Sequence, residues 1–136
     1  GNERYFYQKG KKFTGEFERK DPRTGKINMV GSVKNGELHG TSYSYDENGK
    51  VTEEITFKKG MKEGASKLYY PSGAVAAKLN YKNDRYEGLQ KYYYENGKLQ
   101  AEIEMSKGQL DGLTKMYDEN GKLKEETIYK NGKKVK

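Results

Sequence analysis

Residues 64–88 read G-A-S-K-L-Y-Y-P-S-G-A-V-A-A-K-L-N-Y-K-N-D-R-Y-E-G, and most of the chain is this stretch written again. Gly40, Gly64, Gly88 and Gly112 recur at a spacing of 24 residues, as do Gly49, Gly73, Gly97 and Gly121. Tyr45, Tyr69, Tyr93 and Tyr117 keep the same phase. A further column runs Gly36, Gly60, Asp84, Gly108, Gly132, with an aspartate where a glycine is expected. Several columns in one register define an internal repeat.

Between the glycines the residues alternate. Val51, Glu53, Ile55 and Phe57 correspond to Val75, Ala77, Leu79, Tyr81, to Leu99, Ala101, Ile103, Met105 and to Leu123, Glu125, Thr127, Tyr129. These positions are mostly apolar and their neighbours mostly polar, the pattern of a strand covered on one face. The shorter arm, residues 41–46 and its copies, is rich in tyrosine, which suits strands. Asp46-Glu47-Asn48-Gly49 and its copies fit a type I turn closed by a left-handed glycine. That turn predicts a register in which Asp46 faces Lys50, Tyr45 faces Val51, Tyr43 faces Glu53 and Thr41 faces Ile55. In later copies it sets Tyr93 against Leu99, Leu89 against Ile103 and Lys115 against Glu125.

The expected fold is all-β: an elongated antiparallel meander of tandem hairpins in a single twisted sheet. Residues 1–136 form one repeat domain, with an irregular capping repeat at 5–35, repeats at 36–59, 60–83, 84–107 and 108–131, and a tail at 132–136. In the cap, Tyr5 and Tyr7 precede Gly10 as Ile55 and Phe57 precede Gly60, and Pro22 sits in an enlarged turn. In the tail, Lys130-Asn131-Gly132 opens a turn that the last residues are too few to complete. Lys133, Lys134 and Lys136 place charge on the expected sheet edge, which discourages end-to-end pairing.

At these residues a family resemblance becomes specific. The block N-G-E-L-H-G (residues 35–40), Tyr45 and D-E-N-G-K (residues 46–50), with its copies, resembles the variant MORN repeat found in tandem in bacterial proteins, over residues 5–132. The resemblance implies non-catalytic binding or scaffolding. Proteins of this kind are often labelled antitoxin-like, and many are exported or anchored in the cell envelope. Tryptophan is absent and the period is longer than in the eukaryotic MORN pattern, so membrane-lipid binding is not carried over.

Chemistry is sparse. Charged residues make up 35% and hydrophobic ones 32% of the chain, a balance that only a patterned repeat turns into a fold. There is no cysteine and a single histidine, His39, which reads as a loop residue with no partner to make it a general base. Zinc sites of the usual N/S type are excluded by that count. The acidic turns lack the alternating ligands and distal glutamate of a calcium loop. No catalytic residue, metal site or cofactor is expected.

Two sets of residues are candidates for binding. Tyr70, Tyr92 and Tyr94 have the opposite parity to the tyrosines expected to pack on the covered face, and strand alternation would send them to the other side. Lys67, Lys91 and Lys115 form a basic column with equivalent residues two strands apart. Net charge is +7, so an acidic protein, an anionic glycan or a lipid surface is electrostatically compatible, whereas nucleic acid is disfavoured by interleaved acids and by the lack of a recognition element. No run of about 18 apolar residues is present. The chain begins at Gly1-Asn2 with no methionine, which is compatible with removal of an export signal. The favoured function is a non-enzymatic protein-binding scaffold at the bacterial cell envelope. The alternatives are a cytoplasmic antitoxin-like inhibitor, and binding of envelope polysaccharide or an anionic surface through the Tyr and Lys columns.

Overall fold

The computed structural model describes residues 7–8 and 11–135, with no helix among them. Strands β1 (Tyr7–Gln8) and β2 (Lys11–Lys12) pair as a small separate sheet. The main sheet opens with β3 (Gly15–Lys20), β4 (Ile27–Lys34), β5 (Glu37–Leu38), β6 (Gly40–Tyr45) and β7 (Val51–Lys58). It continues through β8 (Met61–Tyr69), β9 (Val75–Lys82), β10 (Arg85–Tyr86) and β11 (Gly88–Tyr93). It ends with β12 (Leu99–Ser106), β13 (Gln109–Tyr117), β14 (Leu123–Lys130) and β15 (Lys133–Lys134). The order in the sheet follows the chain, except that β5 and β6 both pair with β4, and β10 and β11 both pair with β9; every pairing is antiparallel and the meander does not close into a barrel. This is the hairpin-repeat sheet that the sequence implies. Tyr5, Gly10 and Lys136 lie outside the described residues.

The hairpin turns are those expected from D-E-N-G. The Gly49 N–H donates to the Asp46 carbonyl at 3.0 Å, the Asp46 N–H donates to the Lys50 carbonyl at 2.9 Å, and Gly49 has φ +80°. The Asp46 carboxylate accepts from the N–H groups of Asn48 and Lys50, and Asp118 repeats this with Asn120 and Lys122. Asp84 takes φ +68° in place of the expected glycine, and its carboxylate accepts from the Lys62 N–H at 2.7 Å. Aspartate is among the few non-glycine residues that enter the left-handed region readily, and here its carboxylate is anchored on the preceding loop.

The register departs from expectation by one residue beyond each turn. Tyr45 pairs with Val51 and Tyr93 with Leu99, as predicted, but Ser44 then pairs with Glu53, Tyr43 with Glu54, Ser42 with Ile55 and Thr41 with Thr56. Likewise Leu89 meets Glu104, not Ile103, and Lys115 meets Glu126, not Glu125. Thr52, Ala76, Gln100 and Lys124 have no partner in their hairpins, so each long arm carries a bulge of one residue. The bulge reverses facing: even-numbered short-arm residues join odd-numbered long-arm residues on the covered side. Ala77, Leu79 and Ala101, at 1–3% exposure, lie there with Ser42, Ser66 and Gln90.

Gln90 is fully buried because its amide completes a gap in the ladder between β9 and β11. Its Oε1 accepts from the Asn80 N–H at 2.7 Å and its Nε2 donates to the Asn80 carbonyl at 3.1 Å. Successive loops are also clamped to one another. The N–H of Gly60, Asp84, Gly108 and Gly132 donates to the carbonyl of Leu38, Lys62, Tyr86 and Leu110 respectively. One residue earlier, the N–H of Asn83, Lys107 and Asn131 donates to the carboxylate of Glu63, Glu87 and Asp111. His39 occupies the acceptor position for Lys59, and no such bond forms there among the described residues. At the end of the chain the turn at Asn131 and Gly132 does complete, contrary to the sequence expectation: Lys133 and Lys134 pair back onto Lys130 and Tyr129.

Gln90→Ala should cost about 1–3 kcal/mol in a denaturant titration, because it strands the Asn80 N–H, while the Asn80 carbonyl keeps the Glu87 N–H as donor. His39→Glu should add about 0.5–1 kcal/mol by restoring the missing clamp, read as a raised denaturation midpoint.

Candidate functional site

The side opposite the covered one presents a row that runs across eight strands. Tyr43 pairs with Glu54, Glu54 with Lys67, Lys67 with Lys78, and Lys78 with Lys91. Lys91 then pairs with Glu102, Glu102 with Lys115, and Lys115 with Glu126. Strand alternation fixes its direction, since Lys78 lies between buried Ala77 and Leu79 and must point away from them. Lys78 is exposed, and Lys67, Lys91 and Lys115 are half-buried.

The predicted lysine column is therefore split by its neighbours. Lys67 and Lys91 flank Lys78, a residue that the sequence reading did not single out, and the three are adjacent. Lys115 sits apart from them between two glutamates, beside a shallow depression of about 120 Å³ lined by Leu89, Glu102, Glu104, Leu113 and Lys115.

The tyrosines of this face are tied to its acids. The Tyr69 hydroxyl donates to Glu54 at 2.6 Å and the Tyr117 hydroxyl to Glu102 at 2.9 Å. In the repeat between them the acid is replaced by Lys78, whose ammonium lies 5.7 Å from the centre of the Tyr93 ring. Donation to Glu54 is the largest cause holding the Tyr69 phenol up at about 12, because ionising the phenol would break that bond and set two anions together. Tyr117 is raised for the same reason by Glu102.

The predicted tyrosine group is not brought together on this face. Tyr92 pairs with Ala77 and Ala101 on the covered side, a consequence of the bulge. The phenol of Tyr92 is raised mainly by burial, with Tyr86 adding to it. Tyr70 and Tyr94 occupy the first position of their turns, and their hydroxyls donate to the carbonyls of Tyr93 and Tyr117 in the following repeats. Tyr81 and Tyr86, which the sequence reading also passed over, stack at 4.9 Å with Lys62 5.1 Å above Tyr81. Burial, more than any neighbour, raises the Tyr81 phenol. Their pairing follows from Asp84 turning the chain, so the signal was the Y-x-x-x-x-Y spacing across that loop.

Among the described residues no group of histidine and acidic side chains could hold a metal ion, and no helix is long and apolar enough to cross a membrane.

Four tandem stretches, residues 38–59, 62–83, 86–107 and 110–131, match the family model for the MORN repeat variant. The chain belongs to the MORN repeat variant family. The matched stretches of this MORN-variant array include Lys67, Lys78 and Lys91, and each spans a loop, a short arm, a hairpin turn and a long arm. No curated protein sequence matches the chain at a significant level. Among solved structures, the array is similar to the Glycosylation Associate Protein (Gap123) complex from Streptococcus agalactiae, with 20% identity and a TM-score of 0.46. That alignment covers 75% of this chain but 18% of the other, so the MORN-variant array spans less than a fifth of its neighbour's length.

Glu54→Gln should bring the late Tyr69 titration down from about 12 toward 10, followed by the ultraviolet absorbance of the phenolate. The folded value lies above the free one, so the stabilising contribution is complete below pH 10 and is lost as pH climbs through about 12. Tyr69→Phe should accordingly flatten the loss of stability across that alkaline window.

Proposed function

We propose that this MORN-variant array is a non-catalytic scaffold that presents the face bearing Tyr43, Lys67, Lys78 and Lys91 to another protein, and that it does so at the cell envelope. The observation that carries the reading is the difference between the two sides. One side is consumed by Ala77, Leu79, Ala101 and Gln90. The other offers a continuous row of tyrosine and charged side chains on regular strands, with no convergent acid, base or nucleophile for a reaction. Sites built on strands hold their side chains in fixed relative positions, as recognition of a protein surface requires. Tyrosine and lysine stems supply apolar area with polar tips, the chemistry of a wet, non-obligate interface. The envelope rests on the family resemblance alone.

A photo-crosslinking residue placed at Lys67 or at Tyr43 tests the reading in cells of the source organism. A discrete crosslinked protein from these positions, absent when the same residue replaces Lys124, is the expected result. Absence of a protein adduct from every position on this face would overturn it. Fractionation of the same cells, with the product of the full gene in the soluble cytoplasm, would remove the envelope from the proposal.

A further inference from the structure

We infer that the row Lys67, Lys78, Lys91 seats a short acidic segment of the partner protein, with two or three carboxylates bridging neighbouring ammonium groups. The inference rests on the scaffold reading and adds the chemistry of the partner.

The first observation is a reversal of charge within the repeat. The long-arm position that faces the lysine column is Glu54, Glu102 and Glu126 in three repeats and Lys78 in the fourth. Where the rule holds, a lysine is sandwiched between acids, as Lys115 is between Glu102 and Glu126. Where it is broken, three ammonium groups stand on adjacent strands, about 4.8 Å from stem to stem. Like charges directly opposite one another in a sheet cost stability. A local rule broken at such a cost marks a candidate functional position.

The second observation is that the nearest acids are already engaged. Glu54 accepts from Tyr69 and Glu102 from Tyr117. Among the described residues Lys67, Lys78 and Lys91 form no ion pair within 4 Å, unlike Arg23, which pairs with Asp21 and Glu47. The third is access. Lys78 is exposed and Lys67 and Lys91 are half-buried, and the row is bordered toward the loops by exposed Ala65 and Asn80 and toward the turns by Tyr69 and Tyr93, so a ligand can reach it from above at Lys78.

Spacing and charge together select the ligand. A carboxylate placed between two ammonium groups can accept from both at the 2.7–2.9 Å typical of charged hydrogen bonds. The positive strip is about 10 Å long and ends on Glu54 and Glu102. A continuous polyanion such as nucleic acid or an anionic bilayer would meet those acids at both ends, while a run of two or three Asp or Glu residues would not.

The test compares the parent chain with Lys78→Glu and with Lys122→Glu, a turn substitution that changes net charge equally. Binding of a fluorescein-labelled peptide with three consecutive glutamates flanked by Gly-Ser is followed by anisotropy at two salt concentrations, and thermal midpoints are recorded alongside. The expected result is salt-sensitive binding that Lys122→Glu leaves within about twofold and Lys78→Glu weakens about tenfold or more. Lys78→Glu should also raise the thermal midpoint, because Tyr93 gains the acceptor that Tyr69 and Tyr117 already have. The inference is overturned if both variants lose binding equally, if Lys78→Glu binds as the parent does, or if phosphatidylglycerol vesicles bind in a Lys78-dependent way and the peptide does not. A protein adduct from Lys67 together with unchanged peptide binding by Lys78→Glu would leave the scaffold standing and remove only its acidic partner.

Discussion

The hairpin in which one arm is a residue longer than the other is the constraint from which the rest follows. Turn geometry pins Tyr45 to Val51, and the unpaired Thr52 then shifts every later pair by one. Because side chains alternate across a strand, that single shift decides which half of the short arm is covered. Ser42 is buried opposite Ile55 and Ser66 opposite Leu79 for this reason, Gln90 is buried with them, and Tyr43, Lys67 and Lys91 are left on the other side. The chemistry of the exposed face is thus set by a bulge rather than by hydrophobicity.

A sheet with so little interior depends on coupling between modules. Each loop from Asn35 onward donates one N–H group to a carbonyl of its predecessor, and all but the loop at Lys59 donate a second to a side chain. These groups would otherwise face water, since a loop seldom has partners of its own. Tyr70 and Tyr94 add links at the opposite end of the hairpins, from one turn to the next repeat. The fold is held by contacts that repeat rather than by one central cluster, as in other quasi-one-dimensional proteins.

Much of this was legible in the sequence. The glycine columns specified the turns, and Gly49, Gly73, Gly97 and Gly121 all take the left-handed conformation that their spacing implied. The strands, their order and their antiparallel sense followed from the alternation. The bulge was not legible, because an unpaired Thr52 or Ala76 obeys the same local preferences as a paired one, and only the neighbouring strand reveals the surplus. A register without the bulge accordingly places Tyr92 on the wrong side. Lys67 and Lys91 stand out in the sequence as a column of like residues, whereas Lys78 does not, because its column is otherwise glutamate. Gln90 is inconspicuous for a related reason, since its copies Ser42, Ser66 and Thr114 are small and only in this repeat does the position hold a side chain long enough to span the ladder gap.

The loop clamps carry an implication for how such proteins change in length. Apart from the one that carries His39, each module offers its successor the same kinds of acceptor that it finds on its predecessor, so duplicating or deleting such a unit creates a junction already chemically matched on both sides. Reach across a target can then be adjusted in steps of two strands, about 9.6 Å each, without redesigning any contact. An array built in this way works as a ruler whose graduations are whole hairpins.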